Sequence, residues 1–152
     1  MIIVGEGPLR TSLEKLAQKL GLQKRVAFTG AVEFEKIPET LKTLDALVAP
    51  YPQMDSFYFS PLKIFEYMAA GKPIVASRIG QLTEILEDGK NALLVPPENP
   101  EALAEALLRL KQDRNLGKSL GMQAQKAAKQ KHGWNNRLRV VEGIFKTLVN
   151  RK

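Results

Sequence analysis

Short runs of β-branched and apolar residues alternate along this chain with longer stretches whose apolar positions recur every three or four residues. The runs Ile2 to Val4, Arg25 to Thr29, Ala46 to Ala49, Pro73 to Ala76 and Ala92 to Val95 read as strands. Between the first two, Leu9, Leu13, Leu16, Ala17 and Leu20 fall on one helical face and Gly21 follows as a stop, which makes a βαβ unit. Pro38 opens a shorter helix through Leu41 and Leu44, and Asn99-Pro100-Glu101 starts one that runs to about Lys111. Strands alternating with helices in this way predict an α/β fold, a Rossmann-like parallel sheet of about five strands with helices on both faces.

The last two segments are helical and no strand follows them. Gly117 and Gly121 each weaken the first, Asn115 to Lys131, by roughly 1 kcal/mol relative to alanine. In the second, Trp134, Leu138, Val141, Phe145 and Leu148 form a continuous apolar stripe, with Arg137, Arg139 and Lys146 outside it. Such a stripe must lie against something, and self-association through these five residues is one way to cover it. Neither internal repeats nor a low-complexity linker interrupt the chain, so residues 1–152 read as a single domain.

Composition narrows the functional classes. At 152 residues the chain can bury a real core, and with no apolar run of the roughly 18 residues a spanning helix needs, it reads as cytoplasmic. A peripheral membrane position stays open for a longer protein. The lack of cysteine excludes disulfides and thiolate chemistry, and the single histidine, His132, leaves no metal cluster of the usual kind, so neither metal nor other cofactor is expected. The net charge of +7 is uneven: residues 1–100 carry −1 and residues 101–152 carry +8. Such a field can attract anions, although solvated outer helix faces are the simpler explanation. No arginine-rich run with interleaved aromatics supports a nucleic-acid surface.

The stretch SPLKIFEYMAAGKPIVAS, residues 60–77, carries the most chemistry. Ser60-Pro61 is a helix start, and the first free N–H groups, on Leu62 and Lys63, would face a phosphate together with the Lys63 charge. Glu66 follows on the same face and could accept hydrogen bonds from paired hydroxyls such as those of a ribose. Equally, Glu66 and Lys63 could form only an i, i+3 ion pair. VGEGPLR, residues 4–10, is a second strand-to-helix turn in which Gly5 and Gly7 permit close backbone approach to a ligand, or simply make a tight turn. FTGAV, residues 28–32, ends another strand at the same edge. Ser60 lacks the G-x-S-x-G setting of a nucleophile, and His132 reads as a surface residue near a helix end.

Taken in order, VGEGPLRTSLEKLAQKLGLQKRVAFTGAV, SPLKIFEYMAAGKPIVAS and EILEDGKNALLVPPENPEALAEAL resemble the C-terminal, nucleotide-sugar-binding half of a GT-B glycosyltransferase of glycosyltransferase family 4. The resemblance implies that Glu66 binds the donor ribose and that the backbone at Leu62 and Lys63 faces the donor diphosphate. It also implies that Val32 and Ile37 border the base and that Gly5 and Gly7 line the same cleft. The family is retaining and normally needs no metal.

Two departures stand out. Where the family often has a second glutamate, contacting the donor sugar, this chain has Tyr58. The chain also opens at what is the second strand of that half in the family. A preceding strand and helix, with cations for the leaving diphosphate, and an N-terminal acceptor domain are therefore expected to be missing. In the strand order 3-2-1-4-5-6, the missing strand separates Ile2–Val4 from Ala46–Ala49, which predicts that these two pair directly or that another copy fills the slot. The leading expectation is the donor-binding part of a transferase for a UDP- or GDP-sugar, inactive alone. The alternatives are a non-catalytic nucleotide-sugar-binding module working with a partner chain, and a basic docking domain without a small ligand.

Overall fold

The computed structural model describes residues 1–54 and 61–149, apart from the side chain of Arg137. They form two compact units, with the boundary between Thr40 and Leu41.

The first unit is the expected βαβ. Strands β1 (Ile2–Ile3) and β2 (Ala27–Phe28) pair in parallel, with Ile2 opposite Ala27 and Ile3 opposite Phe28, and α1 (Arg10–Lys19) connects them. The helix stops where the sequence says it should. Gly21, at φ +66°, donates its N–H to Gln18 O (3.0 Å) and Leu22 donates to Ala17 O (2.8 Å), the paired bonds that close a helix through a left-handed glycine. The leucine stripe does not become a core, however. Ala17 is buried, whereas Leu9, Leu13, Leu16 and Leu20 are exposed. Beyond β2 a 3-10 turn, Phe34–Lys36, leads into α2 (Ile37–Thr43), which begins one residue before Pro38.

The second unit holds a three-stranded parallel sheet in the order β3 (Leu47–Ala49), β4 (Ile74–Ser77), β5 (Leu93–Val95). Val48 lies opposite Val75, and Ala76 opposite Leu94. Around it run α3 (Leu62–Ala70), the short α4 (Leu82–Ile85), α5 (Pro100–Gln112) and α6 (Arg114–Lys131), and α7 (Trp134–Val149) follows them in the chain. Every residue of β4 is buried, as expected when helices cover both faces of a parallel sheet. Alternate strand residues feed two clusters. Ile74, Ala76 and Leu94 pack with Ile64 and Met68 of α3, while Val75, Leu93 and Val95 pack with Ala106 and Leu110 of α5 and Leu120 of α6.

Local signals set the helix ends. The Asn99 side chain accepts from the Ala102 N–H (2.8 Å) and Pro100 takes the first position of α5. Asp113 caps α6 by accepting from Asn115 and Leu116. Gly71, at φ +70°, ends α3. Gly121 of α6 lies against that turn so closely that a Cβ there would come within 2.8 Å of the Gly71 carbonyl carbon. Gln125, one turn further along α6, donates to Ala69 O (3.0 Å).

Fold class and element order follow the sequence reading, but among the described residues the five strands make two hydrogen-bonded sheets rather than one. Direct pairing of the first and third strands is not formed: β1 bonds to β2 and β3 to β4. Among the described residues, no helix is long and apolar enough to cross a membrane.

Candidate functional site

The helix singled out from the sequence begins one residue later than expected. Pro61 occupies the cap rather than the first turn and is fully buried, and its carbonyl accepts from the Ile64 N–H (2.8 Å). Ile64 and Met68, four residues apart, anchor α3 in the core. This turns Leu62, Lys63 and Glu66 outward, Leu62 being 69% exposed. Tyr58 and Ser60 lie outside the described residues.

Lys63 and Glu66 share a face but do not pair. The Lys63 ammonium stands over the Tyr51 ring, 4.4 Å from its centre, a cation–π arrangement. Loss of water around it lowers the Lys63 pKa from its ordinary value. Among the described residues, Glu66 makes neither an ion pair nor a hydrogen bond, which leaves its carboxylate able to accept from a ligand. Burial raises the Tyr67 phenol, and Tyr51 and Glu66 raise it further through their charges. The exposed side of α3 is thus an acidic group and a cation flanked by two phenols.

Tyr51 is the residue that sequence reasoning missed. It lies two residues beyond the end of β3, and Ser77, at the end of β4, donates its hydroxyl to the Tyr51 carbonyl (2.8 Å). Ser77 is only 3% exposed, so this bond is a fixed link between two neighbouring strand ends and the ring under Lys63. Ser77 closes the motif that opens at Ser60. The signal available was position: residues just past the carboxyl ends of parallel strands line ligand crevices. A cavity of about 320 Å³ lies at this edge, between Tyr51, Ser77, Val95 and Asn99.

The remaining candidates belong to the first unit. Gly5, at φ +124°, donates to Gly30 O (2.9 Å), a bridge that extends the β1–β2 edge. Gly7 accepts from Arg10, which joins Glu6 and Glu14 in ion pairs of 2.5 and 2.9 Å. The glycine turn is therefore held by charged side chains of its own unit. Val32 and Ile37 are half-buried. His132 caps the end of α6 and packs its ring on Phe65 of α3, with centroids 5.1 Å apart, so it is half-buried rather than a plain surface group. Among the described residues, no three His, Asp or Glu side chains gather as a metal would require.

Comparison with known proteins bears on the family and the fold. Residues 1–113 match the family model described as glycosyl transferases group 1. An uncharacterized glycosyltransferase of Methanocaldococcus jannaschii is 30% identical over 96% of this chain and 36% of its own length. The alpha-D-kanosaminyltransferase of Streptomyces kanamyceticus is 33% identical over 76% of this chain and 29% of its own. Among solved structures, Anabaena HepE in complex with UDP-glucose superposes with a TM-score of 0.80 at 27% identity, covering 98% of this chain and 40% of that one. The chain thus spans about a third of the length of the curated relatives it matches. It has the α/β architecture of one half of a GT-B glycosyltransferase, and it belongs to the glycosyl transferases group 1 family.

Proposed function

We propose that this chain is the donor-binding part of a retaining glycosyltransferase of family 4 that moves a sugar from a UDP- or GDP-sugar to an acceptor. The observation that carries the reading is the Glu66 carboxylate, exposed on α3 without a partner among the described residues while Lys63 is drawn to Tyr51. Two ribose hydroxyls are a natural pair of donors for it. The start of α3, at Leu62 and Lys63, faces the diphosphate, where the positive end of the helix and the ammonium both favour negative charge. Val32 and Ile37 border the base, and Gly5 and Gly7 let the backbone approach the ligand. HepE, which is 27% identical, was solved with UDP-glucose, which supports a nucleotide-sugar as the ligand class.

Neither a metal nor another cofactor enters this account. Stabilising the departing nucleoside diphosphate is usually the largest catalytic contribution in such a transfer. The 152 residues span about a third of the length of their curated relatives, which supports reading them as inactive without an acceptor-binding half, with which they act in the cytoplasm. The stripe Trp134, Leu138, Val141, Phe145 and Leu148 is uncovered, with Trp134 83% exposed. That supports its burial against the acceptor half, or against a second copy when the chain stands alone.

A thermal-shift panel of UDP, GDP, ADP and their sugars tests this reading. A ligand at 100 times its dissociation constant adds about 2.7 kcal/mol of stability. A uridine or guanosine series that stabilises the chain supports the proposal. No shift with any nucleotide rejects it, and sugar transfer by the isolated chain rejects the inactivity.

A further inference from the structure

At the amino-terminal edge of the three-stranded sheet, opposite the edge carrying Tyr51 and Ser77, lies a larger cavity of about 580 Å³. Its apolar lining comes from Pro73, just before β4, and from Leu107 and Leu110 of α5. Four cationic residues line it from three elements: Lys72 from the turn after α3, Lys111 from the last turn of α5, and Arg114 and Lys118 from the start of α6. Asp45 is the one carboxylate in the lining, and it pairs with Arg114 at 3.1 Å. Among the described residues, Lys72, Lys111 and Lys118 have no ion-pair partner.

A cation in the last turn of α5 is explained by the helix dipole, but Arg114 and Lys118 stand in the first turns of α6, where the dipole disfavours positive charge; Asp113 at the cap and Asp45 beside Arg114 offset part of it, and Lys118 has no ion-pair partner among the described residues. Like charges gathered around one concavity repel, and a bound anion relieves that repulsion. Lys72 is half-buried and so less screened by solvent than a lysine on an open helix face. The volume and the apolar lining exceed what a bare oxyanion fills and match a small organic ligand. We propose that this cavity binds a small organic phosphate, with the phosphoryl group among Lys72, Lys111 and Lys118 and the organic portion against Pro73 and Leu110. The proposal is independent of the donor-site reading, since none of its residues belongs to α3.

The test is titration of the 152-residue chain with phenyl phosphate, followed by amide shifts in NMR. Binding is expected to move the Gly71, Lys72 and Gly117 amides, to be tighter than for inorganic phosphate, and to weaken with salt. A Lys111→Ala/Lys118→Ala variant is expected to bind at least tenfold more weakly, while Lys24→Ala leaves binding unchanged. Absence of shifts at those amides overturns the proposal, as does equal affinity of the double variant. Lysine-dependent binding to phosphatidylglycerol vesicles with no response to phenyl phosphate overturns the small-molecule assignment.

Discussion

The Lys63 ammonium rests on the face of the Tyr51 ring, 4.4 Å from its centre, and does not pair with Glu66, one turn along α3. Such a contact at a partly exposed site is worth about 0.5 to 1 kcal/mol. It also holds the charge at the start of the helix, where a diphosphate would lie. Lys63→Met keeps the apolar stem over Tyr51 and removes the charge. We expect nucleotide affinity to drop severalfold, less than for loss of Glu66, with little change in melting temperature. Isothermal titration beside a melt decides; a large fall in stability with unchanged affinity would make the contact structural only.

Two glycines four residues apart on α6 should respond oppositely to alanine. At Gly117 a new Cβ meets Pro73 at 3.6 Å and Leu110 at 3.9 Å, ordinary contact distances. Gly117→Ala should therefore stabilise by about 0.5 to 1 kcal/mol through helix propensity. At Gly121 the Cβ would press into the backbone of Gly71 and Lys72, and the packing of α6 on α3 must open. Gly121→Ala should cost about 1 to 3 kcal/mol. Urea unfolding of both variants checks the pair, and shifts of the same sign would contradict it.

The turn before β5 gives the acid limb of stability a specific contributor. Burial pushes the Asp88 carboxyl up, but the Leu94 N–H, the Arg78 guanidinium and the Gly89 N–H together outweigh it and hold the carboxyl below its ordinary 3.8. A carboxyl whose pKa falls on folding stabilises the fold above its unfolded value and loses that contribution as pH drops through the folded value. Asp88→Asn should lower stability at neutral pH and flatten its decline below pH 3.8. Unfolding curves that stay parallel from neutral to acid pH for the two proteins would refute the assignment.

The α7 stripe predicts concentration-dependent association. Burying a leucine or phenylalanine contributes about 1.5 to 3 kcal/mol, so Leu138→Glu/Phe145→Glu should shift the dimerisation constant by well over tenfold. Sedimentation velocity over a range of concentrations reads this directly. A chain that stays monomeric throughout would show that α7 is not a self-association surface.

Much of this architecture was legible because its signals are local. Asn99-Pro100 placed the start of α5, Gly21 placed the end of α1, and alternation of apolar runs located all five strands. What the sequence hid depends on partners distant in the chain. The split into two sheets follows from which strands find neighbours, and periodicity does not encode that. The leucines of α1 have the spacing of a buried face, yet spacing says nothing of whether a cover is present. At the site, helix chemistry pointed to Lys63 and Glu66, but a lone aromatic after a strand carries no motif. Tyr51 became visible only when the Ser77 hydroxyl and the Lys63 ammonium met it from elsewhere in the sequence.

The most direct measurement of the account is the affinity of Glu66→Ala for the nucleotide-sugar that stabilises the wild-type chain best, taken beside its melting temperature. Hydrogen bonds to a charged acceptor are worth about 1.5 to 3 kcal/mol. Affinity is expected to fall about tenfold or more while the melting temperature holds, because Glu66 is exposed and makes neither an ion pair nor a hydrogen bond among the described residues. Unchanged affinity, with or without a collapse in melting temperature, would contradict it.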